Sequence, residues 1–385
     1  MNSNIWQILR QFFWLGCTSF GGPAAHIGYF RQQFVVQQGA LSGQRFADLL
    51  ALCQFLPGPA SSQLGAAIGF DLAGWRGAIA AFVGFTLPSV LILALLGSSW
   101  LWWADSALVL ALKWLAMVVV ADAVWSMAQQ FCQSARHKRI ALLVLLLMLL
   151  WPTGQWWVLV LVAAWAAWHV QDDSTSPPNG STSPSIVGHF SPLALTLLAM
   201  FFALLLWAVW PHSSVYSDLL ALFYRTGATV FGGGHVVLPL LQPELVGQGL
   251  LSEAQFNAGY GAAQILPGPL FSVAFFFAQG TGAGIGVALS CLLAIFLPGF
   301  LLLFALLHQW QWLQQQPRLV AALRAVNAAV VGLLAATWLS VLLPAASTGL
   351  LSVLLALPAL AWLRHDKQPR TLLWLAALAL VFYGL

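Results

Sequence analysis

Apolar runs of about 20 residues follow one another along almost the whole chain, and a run of that length spans a hydrocarbon core of ~30 Å as a helix. They fall at approximately 5–22, 46–70, 77–101, 107–130, 139–151, 154–170, 191–211, 216–232, 253–278, 283–307, 319–343, 346–362 and 371–385. The chain therefore reads as an all-α polytopic membrane protein with about 13 crossings. The runs holding Pro57 and Pro267 have re-entrance as their alternative. Composition agrees: 61% of the 385 residues are hydrophobic and 6% are charged, against a charged share of roughly 25% in soluble domains.

Several function classes drop out on the same evidence. The net charge of +4 comes from few ionisable residues, with no basic run interleaved with aromatics to suggest nucleic-acid binding. Cys17, Cys53, Cys132 and Cys291 sit far apart inside apolar stretches, which argues against a disulfide framework and against a zinc or other metal site. No phosphate loop and no haem, flavin or iron–sulfur pattern is present, so no cofactor and no enzymatic activity are expected. The apolar N-terminus carries Arg10 inside its run and reads as a retained helix rather than a cleaved signal.

The order of features repeats. FGGP, with Gly21, Gly22 and Pro23, recurs as FGGG, with Gly232, Gly233 and Gly234, 211 residues on. QFLPGP, with Gln54, Pro57, Gly58 and Pro59, recurs as QILPGP, with Gln264, Pro267, Gly268 and Pro269, at an offset of 210. Pro88 matches Pro298, and Lys113 matches Arg324. Between the copies, QDDSTSPPNGSTSPSIVGHF reads as a flexible linker. The expected organisation is a repeat over 1–170, a linker over 171–190, and a second repeat over 191–385 with an extra leading helix at 191–211. With the N-terminus cytoplasmic and thirteen crossings, only Arg31, Arg45 and Lys113 of the crossing-flanking basic residues lie outside, and the halves are inverted. Making both proline-containing runs re-entrant would instead place the basic clusters near 318 and 364 outside.

Paired glycines followed by Pro or Gly do not continue a helix comfortably, and both prolines of PGP lack an N–H. Each half should therefore contain two unwound segments, tolerated at membrane depth only where they are covered by protein or line a polar cavity. A helix restarting after PGP aims its positive end at the break, which favours an anion. Four such breaks at a repeat interface are what a secondary transporter with discontinuous helices uses as a binding site.

Around the breaks, Ser61, Ser62, Gln63 and Ser272, with Gln54 and Gln264, can supply neutral donors to an anion or bond the broken backbone. His26 and His235 can donate to an oxyanion, carry a proton, or bond a freed carbonyl. Arg225, about two helical turns before FGGG, is the leading fixed positive charge, with snorkelling to the outer interface as its alternative. Asp122 is the acid well inside a crossing, a proton carrier or half of an ion pair. Lys113 and Arg324, near helix ends, gate or anchor.

Taken together, FGGPAAHIGYF, QFLPGPASSQ, FGGGHVVLPLL and QILPGPLFSVA resemble the bidomain form of the chromate ion transporter family over both halves of the chain. The resemblance implies efflux of chromate across the bacterial inner membrane and chromate resistance, with sulfate as a similar competitor. The partners it implies are chromate and the lipid bilayer. Transport of sulfate or another oxyanion, and passive anion conduction, are the alternatives. The oligomeric state stays open, a homo-oligomer included.

Overall fold

The computed structural model describes residues 4–169, 191–231, 234–346, 350–365 and 369–384. The expected linker 171–190 and two of the site glycines, Gly232 and Gly233, lie outside the described residues. Among the described residues the chain forms helices and no strand. Five helices among the described residues are long and apolar enough to cross a membrane, and the chain is a multi-pass membrane protein.

The first half runs through α1 (Ile5–Thr18), α2 (Gly22–Phe30, continued as a π-helix over Arg31–Gln37), α3 (Gly43–Phe55), α4 (Ala60–Ser98) and α5 (Trp100–Trp103). It closes with α6 (Ala107–Phe131), α7 (Ala135–Leu150) and α8 (Gln155–Trp168). Next come α9 (Pro192–Val209), α10 (Val215–Thr229), α11 (Val237–Leu245), α12 (Glu253–Ile265), α13 (Val273–Gly280) and α14 (Ile285–Leu306). The chain ends with α15 (Trp310–Gln314), α16 (Pro317–Thr337), α17 (Leu343–Ala346), α18 (Leu350–His365) and α19 (Pro369–Gly384). Helices α2 and α11 fall where the apolar runs predict none. Each is short, and α2 carries polar residues such as Gln32 and Gln33 on its π-helical extension, so neither registers as a 20-residue apolar window.

At its breaks the chain turns back. Phe12 of α1 packs against Phe30 and Phe34, with ring centroids 5.6 and 5.1 Å apart, so α2 returns alongside α1. Arg45, at the start of α3, makes two bonds of 2.7 and 2.9 Å to the carboxylate of Asp71. Asp71 is near the far end of the arm that follows PGP, so the two arms are antiparallel and PGP is the tip between them. The chain reverses again at Ala73–Gly74, where Gly74 has φ 62°, and Gly69 and Gly77 bring the arms 60–72 and 75–98 into backbone contact. In the second half Phe256 stacks on Phe277 at 4.4 Å, which folds α13 back along α12. The runs 46–70 and 253–278, counted above as single crossings, thus fold back on themselves as helical hairpins. Two prolines without N–H groups flank a glycine at φ 118° or 98°, and together they reverse the chain instead of kinking it.

Glycine also sets the packing within each half. A Cβ on Gly16 of α1 would stand 2.6 Å from the Phe85 carbonyl oxygen, and Gly227 of α10 meets the Ile295 carbonyl in the same way. Those are matched positions in the two halves, so the duplication extends to backbone contacts. The halves exchange their tails: α7 and α8 pack on α16, while α18 and α19 pack on α6. The Trp338 and Trp114 indoles tie this exchange by donating to the carbonyls of Met117 and Ser352 at 2.8 and 3.0 Å.

Candidate functional site

The tips of the two PGP hairpins cross over to the opposite half. The Gly58 N–H donates to the Val230 carbonyl at 2.7 Å, and the Gly268 N–H donates to the Ser19 carbonyl at 3.2 Å. Val230 and Ser19 are the residues just before FGGG and FGGP, so each PGP satisfies the carbonyl freed by the other half's glycine break. A second pair of cross-links lies behind the first. Gln63 donates from Nε2 to the Pro57 carbonyl at 3.0 Å and to the Gly299 carbonyl at 2.9 Å. The Ser272 and Ser89 hydroxyls are 2.8 Å apart. Ser89 and Gly299 each follow the kinking proline of their half, Pro88 and Pro298. All four breaks therefore meet, and their backbone polar groups largely satisfy one another.

Beside this junction lies a cavity of about 300 Å³. The first half contributes Gly21, Gly22, Pro23, Gln54 and Gly58 to its wall, and the second contributes His235 and Gln264. The stretch of α6 from Val119 to Phe131 closes one side with Asp122, Ser126 and Gln130. Gln54, Ser126 and Gln130 are exposed, so the cavity opens to the protein surface along that stretch of α6.

Other candidates stand behind the wall or away from it. His26 is buried with its ring edge on Phe85, and its Nε2 lies 3.2 Å from the Ser19 carbonyl. It bonds a freed carbonyl, the third of the roles open to it in the sequence. Ser61, Ser62, Gln63 and Ser272 are buried in the junction with Pro57, Pro59, Pro267, Gly268 and Pro269, and none of them lines the cavity. Gly234 packs on Leu270, where a Cβ would come within 2.9 Å of a methyl group. Arg225 does not reach the cavity and lies beside Trp156 of α8. Lys113 is half-buried and Arg324 exposed, both off the cavity wall.

Two contributors were not singled out in the sequence. Tyr260 is fully buried with its hydroxyl 2.8 Å from Nδ1 of His235, and the Gln264 amide nitrogen is 3.4 Å from the same atom. Where Tyr260 donates its hydroxyl proton to Nδ1, a neutral ring carries its own proton on Nε2. His235 then offers an N–H donor to the cavity. Arg364, at the end of α18, lies 3.8 Å from Asp122 and stacks over Trp125 at 4.3 Å. It reads in the sequence only as one of a basic cluster at a helix end. Tyr260→Phe removes the group that selects the tautomer, and the expected result is a roughly tenfold loss of anion affinity with folding retained. The expected effect on His235→Gln, whose amide sits near the Nε2 position, is nil. Anion affinity of the single and double variants, with the His235 nitrogen shifts by NMR, checks both.

Residues 6–168 and 217–385 match the chromate transporter family, two copies that together take in most of the chain. The chain belongs to the chromate transporter family. Among its relatives, the chromate transport protein of Pseudomonas aeruginosa is 29% identical over 347 residues, covering 86% of this chain and 79% of the relative. The probable chromate transport protein of Synechococcus elongatus is 27% identical over 86% of this chain and 82% of its own length. The chromate transport protein of Cupriavidus metallidurans is 26% identical and covers more, 98% of this chain and 93% of its own. No solved structure matches.

Proposed function

We propose that this chain is a secondary transporter that exports chromate from the bacterial cytoplasm across the inner membrane and thereby confers chromate resistance. The observation that carries the reading is the convergence of four broken-helix ends, two from each half, beside one surface-open cavity with Gln54, Gln264 and His235 in its wall. Gln54, Gln264 and the Nε2–H of His235 are the neutral donors for the anion, and the glycines at 21, 22 and 58 let backbone approach it. Gly232 and Gly233 are assigned the matching part of the second half. The remaining junction residues hold those donors in place. Sulfate, also a tetrahedral dianion, is the expected competitor. Potential drives export by about 4.6 kcal/mol per 100 mV for a dianion, twice the single-charge value, so no nucleotide is needed. Asp122 and His235 face the cavity and are the proton-coupling candidates; transport insensitive to a pH gradient at fixed voltage would remove them.

The hairpins suggest a revised topology. Two, α1–α2 and α3 with the 60–72 arm, enter from the cytoplasm, and two, α10–α11 and α12–α13, enter from outside. Nine crossings remain: the 75–98 arm, α6, α7, α8, α9, α14, α16, α18 and α19. Every Lys and Arg except Lys113 and Arg225 then falls on the cytoplasmic side, and the halves are inverted, with α9 as the flip. The 318 and 364 clusters stay inside because the glycine breaks reverse the chain as well as the PGP breaks. In a cysteine-free background, an impermeant thiol reagent added outside is expected to label Gln248→Cys and spare Gln38→Cys. Thirteen crossings require the opposite.

Export is tested directly with inverted membrane vesicles. Saturable chromate uptake inhibited by sulfate supports it, and no uptake sinks it. Uptake that saturates without counterflow would turn the carrier into a channel.

A further inference from the structure

We infer that Arg225 and Trp156 form a second oxyanion station, separated from the cavity by the hairpin tips. The inference rests on the transport reading above and adds a position to its path.

Arg225 occupies α10 about one and a half turns before Val230, the carbonyl clasped by Gly58. No carbonyl, carboxylate or hydroxyl among the described residues accepts a bond from its guanidinium, and its Nε is buried without a partner. Its neighbour is Trp156, with the guanidinium carbon 5.9 Å from the ring centroid, at the limit of cation–π range. The indole Nε1 of Trp156 is also buried without a partner. Two unpartnered buried donors, one of them cationic, therefore stand together with no acceptor. A buried donor is costly to leave unmade, and a charge inside a membrane bundle is costly unless it is compensated. What both lack is an anionic acceptor, and a planar guanidinium suits a tetrahedral oxyanion in particular.

Position along the bundle separates this pair from the cavity. The cavity reaches Gln130 and Phe131 at the end of α6, beside the start of α7. Arg136, in that start, donates to the His169 carbonyl just past the end of α8 at 3.0 Å, so α7 and α8 are antiparallel and Trp156 lies at their opposite end. Helix α7 has 16 residues, about 24 Å of rise. Gln155 pins that end of α8 to the second half by donating to the Leu240 carbonyl at 3.2 Å. Chromate leaving the cavity past the tips would meet Arg225 next.

The test is equilibrium binding of radiolabelled chromate to the purified full-length protein. The wild type is expected to hold two chromate ions per chain, Arg225→Gln one, and His235→Ala the other one. Trp156→Phe keeps the ring and removes the donor, and should weaken the Arg225 site about tenfold while leaving the cavity site unchanged. A wild type with one site, lost in His235→Ala and untouched in Arg225→Gln, overturns the station and leaves the transport reading standing. Equal stoichiometry in Arg225→Gln and wild type overturns it too. A wild type that binds no chromate overturns both.

Discussion

Gln54→Glu is expected to reduce chromate uptake into inverted vesicles at least thirtyfold while leaving the protein folded. Gln54 is exposed on the cavity wall and makes no hydrogen bond among the described residues, so the exchange disturbs no contact and should shift stability by less than about 0.5 kcal/mol. What changes is charge. Two unit charges 4 Å apart repel by about 4 kcal/mol at an effective dielectric of 20, and a dianion doubles that. The cavity is open, and screening takes most of it away. A quarter of the total, about 2 kcal/mol, still corresponds to ~30-fold in affinity. Gln54→Met removes the donor without adding charge and should cost less than about tenfold. Initial rates per unit of protein separate the cases: Glu as active as wild type would mean that the anion does not pass Gln54. The matched Gln264 is a poorer test, because it is nearly buried and contacts His235.

The breaks were legible in the sequence because their cause is local. Gly-Gly and Pro-Gly-Pro disrupt a helix through missing N–H groups and positive φ, whatever surrounds them. That four breaks meet followed from their duplication. What the sequence hid was chain direction, since reversal at PGP is fixed by pairs such as Arg45 with Asp71 and Phe256 with Phe277, which lie 20 or more residues apart. The two histidines illustrate a second limit. His26 stands six residues after the phenylalanine of its break and His235 four after its own. Two residues turn a helix by roughly 200°, enough to send one ring to Phe85 and the other to the cavity. Arg225 and Arg364 both read as arginines in or beside apolar helices. Only the fold puts Asp122 beside Arg364 and leaves the Arg225 Nε without an acceptor among the described residues.

Alanine at Gly58 or Gly268 is expected to lower the thermal midpoint sharply and abolish transport, and the two sites should differ in how they can be rescued. Both glycines have positive φ, 118° and 98°, where a side chain costs about 1–2 kcal/mol. Both are also crowded: a Cβ on Gly58 would lie 3.0 Å from the Gly299 Cα, and one on Gly268 would lie 2.9 Å from the Ser89 Oγ. Overpacking adds roughly 1–3 kcal/mol, and a displaced N–H loses its cross-half bond to Val230 or Ser19, about 1 kcal/mol more. Gly249, at φ 73° with nothing within 4 Å of a Cβ, isolates the strain alone, so Gly249→Ala should cost only the first of these. At Gly268 most of the clash is with a side chain. Ser89→Gly removes it and reproduces the Gly299 of the other half, so the double variant Gly268→Ala with Ser89→Gly should recover part of the midpoint. At Gly58 the nearest atom is already the backbone of a glycine, and no substitution there can make room. Recovery at 268 with none available at 58 would identify the tips as backbone-to-backbone contacts between the halves. Equal tolerance of alanine at 58, 268 and 249 would mean that the tips do not need to touch.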